Sequence, residues 1–205
     1  MKSSSNLSQN TNLDLDPALN GTLVGCINFA FQKMLQNVQN MLPALVMAYD
    51  RTTNRAQVQI LINMLTADGE QLPRPQIASI PVLVLGGGGY MLSFPLVEGS
   101  LGWICANDRD ISLFLQSYQQ AAPNSTRLHS FSDGLFIPDV MRGYTIDPED
   151  GENAVLQSTD GTIKISLSTL KIKVVAPLIV GIGNLAIDGN ITASGTITPG
   201  VPIPP

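Results

Sequence analysis

The apolar positions of this chain change period several times, and each change marks a different expected element. Residues 1–19 are polar, with only Leu7, Leu13 and Leu15 as larger apolar groups. Such a segment buries too little to offset its ordering entropy, so a flexible polar N-terminus is expected. Over residues 20–42 the period becomes helical: Val24, Ile27, Phe31, Met34, Val38 and Met41 recur at spacings of 3, 4, 3, 4 and 3. This predicts an amphipathic helix, capped by Asn20 or Thr22 and ended by Pro43, that packs either on its own domain or on other chains.

From 43 to 122 the pattern is that of strands. Ala44–Asp50 and Arg55–Asn63 flank the turn Arg51-Thr52-Thr53-Asn54, and Val58, Ile60 and Ile62 alternate with Gln57, Gln59 and Leu61, as in a hairpin. Further strands are expected over Ile77–Leu85, Tyr90–Pro95 and Leu101–Ala106, with Pro81 at an edge or a bulge. Several short strands in so few residues predict a small closed barrel of the OB-fold type. Residues 123–153, rich in Pro, Asn, Ser, Asp and Gly, read as a linker.

Between 154 and 193, Ile, Leu and Val alternate with Ser, Thr, Lys, Gly and Asn, and no aromatic residue follows Leu156. One copy of such a segment cannot enclose a core, and it is too short for a single-chain parallel β-helix, whose rungs need roughly 20 residues each. Three copies wound together solve the problem, because the inward apolar residues of each fill a narrow prism and no strand edge stays open. The expected fold class is therefore mainly β: an N-terminal helix, a small OB-fold barrel and an intertwined trimeric β-helix shaft. Residues 194–205 form the expected tip, in which Ile197, Pro199, Val201, Pro202, Ile203, Pro204 and Pro205 carry apolar bulk and a stiff backbone with few donors.

Composition sharpens this reading. Only 13% of the 205 residues are charged, about half the usual fraction for a soluble domain, and mean hydropathy is +0.18. The most apolar stretches, Ile80–Leu92 and Ala176–Ile187, fall short of the roughly 20 residues of a spanning helix and contain Gly. No secretory leader is expected, since Lys2 precedes a polar run; without an apolar segment before it, Leu23-Val24-Gly25-Cys26 is a chance likeness to a lipidation box. The apolar excess therefore points to assembly with other chains. A net charge of −5 with scattered Lys and Arg argues against a nucleic-acid partner. Cys26 and Cys105 have no metal or redox spacing and read as buried, reduced thiols.

Candidate chemistry is sparse. Gly86–Gly89 lacks the following Lys-Ser/Thr of a phosphate loop and reads as a barrel loop. Asp108 and Asp110 flank Arg109 with no positioned base, as in a structural or inter-subunit ion pair. The run Asp147–Glu152 breaks the ligand order of a calcium loop and reads as solvated. His129, the one histidine, is the single candidate metal ligand, through three symmetry copies around an axis, but a lone histidine in a polar segment is more often a surface or hydrogen-bonded residue. No catalytic set can be assembled around one histidine, so neither enzyme activity nor a cofactor is expected.

The layout resembles the cell-puncturing central spikes of contractile-tailed bacteriophages. The residues that carry the likeness are Ala48–Val58, Ile80–Gly89 with Ser93-Phe94-Pro95-Leu96, and Gly99-Ser100-Leu101-Gly102-Trp103 leading into Asp108–Ser112. They look like the OB-fold domain of that family's membrane-piercing branch, and the likeness covers about residues 40–190. It implies a homotrimer in the virion, at the tip of the tail baseplate. Helix and barrel would mount on tail hub proteins, and the shaft would pass transiently through the host outer membrane. Several members end in a His-x-His pair that holds iron on the threefold axis; this chain has no such pair, so tip iron is not implied. A trimeric host-binding fibre or adhesin, and a β-helical polysaccharide-degrading enzyme, are the alternative readings. The first calls for sugar-binding residues at the distal end, the second for a charged cleft along the shaft.

Overall fold

A computed structural model describes residues 21–36, 38–66 and 69–195. They belong to two units, one ending at Tyr144 and the other beginning at Thr145. Among the described residues no helix is long and apolar enough to cross a membrane.

The first unit opens with helix α1 (Leu23–Gln36). Thr22 caps it: the hydroxyl accepts from the Gly25 N–H at 3.0 Å and the carbonyl from the Cys26 N–H at 2.9 Å. The expected span of 20–42 was too long, and Pro43 is not the stop. The sheet claims the chain first, because the Gln39 side chain accepts from the Phe131 N–H at 3.2 Å and the Asn40 carbonyl from the Ala106 N–H at 2.8 Å. Pro43 instead lies inside β1 (Met41–Asp50), opposite Trp103, and its carbonyl accepts from the Leu61 N–H at 3.0 Å.

Strand β1 forms an antiparallel hairpin with β2 (Arg55–Ile60). The Asp50 carboxylate organises its turn, accepting from the Thr52 N–H at 2.9 Å and from the Thr52 and Thr53 hydroxyls at 2.5 and 2.7 Å. These bonds, the Thr52 hydroxyl foremost, hold its pKa at about 2. Asn54 takes the left-handed conformation at φ +52°, which Asn tolerates better than most residues.

Small hairpins follow, β3 (Met64–Leu65) with β4 (Gln71–Leu72) and, beyond β5 (Ile77–Pro81), β6 (Leu85–Gly87) with β7 (Tyr90–Leu92). Gly88 and Gly89, at φ +59° and +88°, supply the two positive values that a tight hairpin turn needs. Strand β8 (Leu101–Asn107), a short helix α2 (Ser112–Ser117) and β9 (Ser130–Pro138) complete the unit.

Five strands make one antiparallel sheet in the order β5-β2-β1-β8-β9. Just past β5, Val82 forms a parallel bridge with Phe136, and the Leu83 N–H donates to the Phe136 carbonyl at 2.8 Å. The two edges of the sheet thus meet, and it nearly closes into a barrel. Pro81 ends the edge strand β5, where a missing N–H is tolerated. Inside lie Ala44, Val46, Ala56, Val58, Ile60, Ile80, Val82, Ile104, Phe131 and Phe136. Gly102 is required by this packing: a Cβ there would stand 2.5 Å from the Phe136 ring and closer still to the Ile137 carbonyl.

The expectation of a linker over 123–153 is corrected. Strand β9 runs through its middle and supplies Phe131 and Phe136, both almost wholly buried, to the core. The barrel therefore does not end at 122.

In the second unit a 3-10 turn at Pro148–Asp150 precedes β10 (Ala154–Gln157), β11 (Lys164–Leu167) and β12 (Ile172–Val175), an antiparallel meander. Residues 176–195 carry no strand. A single copy thus shows three short strands and irregular chain across the expected shaft of 154–193, not a β-helix. Of the expected tip, Ile197, Pro199, Val201, Pro202, Ile203, Pro204 and Pro205 lie outside the described residues.

Candidate functional site

Among the described residues, the meander has its polar face covered and its apolar face open. Alternation along each strand sorts Val155, Gln157, Lys164, Ser166, Lys173 and Val175 to one side, and Ala154, Leu156, Ile165, Leu167, Ile172 and Val174 to the other. The register aligns the second set in two rows, Leu156–Ile165–Val174 and Ala154–Leu167–Ile172. Every member of both rows is exposed, Ile172 at 69%. The downstream chain repeats the theme, with Leu178, Ile182 and Leu185 at 76, 97 and 83% exposure. Apolar surface this extensive is unusual on a monomeric domain.

The opposite face is closed by the segment before β10. Asp150 is 2% exposed and Lys164 5%. The Lys164 ammonium contacts the Asp150 carboxylate directly and donates to Asp147 at 3.2 Å. Ser166 and Asn153 also donate to Asp150, at 2.6 and 3.1 Å, and Lys173 reaches Glu149 at 3.1 Å. The Asp150 carboxyl is held far below its usual range, by the Lys164 contact first and then by Ser166 and Asn153. Asp147 is lowered by the Glu149 N–H and then by Lys164; Lys164 is raised, chiefly by Asp150. The run Asp147–Glu152, expected to be a solvated loop, is corrected at Asp150, which is the buried anchor of the meander.

A second polar cluster sits in the first unit. Asp110, 4% exposed, accepts from the Ser125 hydroxyl at 2.7 Å, the Ser112 N–H at 2.9 Å and Arg127 at 3.1 Å. Those bonds lower its pKa strongly, Ser125 first. Arg127 also donates to Asp133 at 3.0 Å. The ion pair expected around Arg109 is corrected to one with Arg127, and Asp108 is not part of it. Asp108 lies instead 3.7 Å from His129 Nδ1. Among the described residues no three His, Cys, Asp or Glu side chains are grouped to hold a metal ion. The His129 metal site would need other copies of the chain. Gly86–Gly89 forms the β6–β7 turn. Cys26, expected to be buried, is exposed on α1, and Cys105 is half-buried.

Sequence reasoning missed Lys164 and Asp150 as a buried pair. The signal available was the single Lys placed inside an otherwise apolar and hydroxyl-bearing alternation, Ile163-Lys164-Ile165-Ser166-Leu167.

A family model described as the phage protein Gp138 N-terminal domain matches residues 42–139, from β1 to the end of β9. The barrel is therefore similar to a domain of phage structural proteins of the baseplate and spike kind. A place in the virion is consistent with that. No curated protein matches the chain.

Proposed function

We propose that this chain is a non-enzymatic, homotrimeric spike at the tip of a phage contractile tail, driven mechanically through the host outer membrane when the sheath contracts. The observation that carries the reading is the open apolar face of β10–β12, followed by twenty residues, 176–195, whose seven Leu, Ile and Val side chains are all exposed. A meander that buries Lys164 and presents Leu156, Ile165 and Val174 is inside-out for a lone chain and right side in for a prism of three. Packed so, each copy closes the strand edges and apolar rows of its neighbours.

The barrel supports an OB-type assignment. Its five main strands pair first with second, second with third, first with fourth and fourth with fifth, and the parallel bridge joins third to fifth. The phage domain that matches residues 42–139 supports a baseplate location, with the barrel seated on hub proteins. A shaft with paired backbone and few charges passes a lipid layer at low desolvation cost.

The test is the mass of the purified full chain by light scattering, together with immunogold labelling of phage particles. A trimer of about 66 kDa, from 21.9 kDa chains, and label at the distal end of the tail are expected. A monodisperse monomer, or label confined to the head, refutes the proposal.

A further inference from the structure

Helix α1 presents a second apolar face that none of the described residues covers. At 100° per residue, Ala30, Leu23, Met34, Ile27, Phe31, Val24 and Leu35 fill one continuous arc of about 140°. All seven are exposed, Leu23 at 78% and Met34 at 69%. The other arc holds Asn28, Gln32, Gly25, Lys33 and Cys26, with Phe29 as its one large apolar member. The Phe29 ring lies under the Lys33 ammonium, 5.6 Å from nitrogen to centroid, so that aromatic is shielded on the polar side.

We propose that α1 of three copies packs in parallel about one axis as a short three-helix bundle, with Val24, Ile27, Phe31 and Met34 inward. This rests on the trimer proposed above, and it makes the helix a self-association element, one of the packings its period leaves open, where the family resemblance implied a seat on the hub. Three features favour copies of this chain as the occupant. An arc of this width, broader than the a/d seam of a two-stranded coil, leaves apolar surface for contact with two neighbours. The arc carries no charge, as it must where each inward residue faces its own symmetry image; the helix's one charge, Lys33, lies outside. Finally, Gln39 and Asn40 tie the chain to the barrel sheet within four residues of the helix end. Barrels arranged about an axis therefore start their three helices within short reach of it. The spacing continues through Val38 and Met41, both exposed, onto the first residue of β1.

The experiment uses the full chain with Cys26→Ser and Cys105→Ser, into which Ile27→Cys, Met34→Cys or Gln32→Cys is introduced singly. After mild oxidation, Ile27→Cys and Met34→Cys are expected to give disulfide-linked dimers in up to two chains of every three, the third having no partner. Gln32→Cys, on the outer arc, is expected to stay uncrosslinked. Phe31→Asp tests the same face without oxidation and should raise the concentration at which the trimer dissociates at least tenfold. A chain that is trimeric by light scattering yet shows no cross-link at 27 or 34, or as much at 32, overturns the bundle and leaves the spike reading standing. A monomeric parent overturns both.

Discussion

Ile165→Asp tests whether the open face of the meander is an interface. Ile165 stands at the centre of the row Leu156–Ile165–Val174, hydrogen-bonded into the middle strand, with 40% of its surface exposed. Fully burying an Ile stabilises by about 1.5–3 kcal/mol, so covering that remaining fraction is worth about 0.6–1.2 kcal/mol per copy. The replacement removes this and adds a carboxylate that must be desolvated, at several kcal/mol per ion. The substitution occurs three times about one axis, where the three carboxylates also repel each other. A loss of about 4 kcal/mol or more over the trimer corresponds to roughly a thousandfold weaker association.

The measurement is sedimentation velocity over a concentration series, with far-UV circular dichroism to confirm that the strands persist. In one copy the mutated side chain faces solvent, so the monomer is expected to keep its fold. Lys173→Gln, on the opposite face and paired only with Glu149 at the surface, is the control and should assemble like the parent. If Ile165→Asp assembles as tightly as the parent, the exposed rows are not the interface and the shaft has been misread.

Two further substitutions test other parts of the structure. Gly102→Ala places a methyl group against the Phe136 ring and the Ile137 carbonyl; overpacking of this kind costs about 1–3 kcal/mol. Thermal unfolding followed by fluorescence of Trp103, the one tryptophan, should show a midpoint several degrees lower, whereas Gly87→Ala, which has open space around its Cβ, should leave it unchanged. The Asp150–Lys164 pair predicts a pH window for the second unit. A lowered carboxyl contributes stability above its unfolded pKa of about 4 and loses it as pH falls through the folded value, while a raised ammonium contributes fully below about 10.4 and loses it as pH rises through its folded value. Stability is therefore expected to be flat between these limits and to fall below about pH 4. Asp150→Asn should weaken the unit at pH 7 and remove much of the acid-side slope; equal slopes in parent and variant would refute the assignment.

The barrel was legible where period 2 ran cleanly. Of the expected row Val58, Ile60 and Ile62, the hairpin buries Val58 and Ile60, whereas Ile62 lies past the end of β2 and is exposed. Strand β9 was not, because Ser-Asp-Gly and Ile-Pro-Asp are turn signals, and here they fall inside or beside a strand whose closing pairing partner, past β5, lies over fifty residues away. Local composition cannot register such a pairing. The same limit explains α1, where a helical period extended to Met41 until Gln39 and Asn40 were taken by the sheet. In the meander, alternation identified two faces but not which one the chain would cover. A single Asp at 150 decides that, since its hydrogen bonds to Lys164, Ser166 and Asn153 close the polar side.

The shortage of charge can now be placed, and its placement bears on the proposed self-association. The sixteen acidic and eleven basic residues of the chain are absent from the six-residue open face of the meander and from the seven-residue arc of α1. A heterologous partner imposes a weaker exclusion, confined to the centre of the interface, since complementary charges at its rim improve specificity and approach. Self-association about an axis does impose it, because every charge near the axis meets its own image at short range in a medium that screens poorly. Two separate surfaces, one helical and one of strands, obey the same exclusion. Lys33 and Lys164 show how: each lies on the far side of its element, one against an aromatic ring and the other against two carboxylates. The proposed trimer requires faces of this kind, and because the centre of an interface with a foreign protein is also poor in charge, the measured oligomeric state is what separates the two.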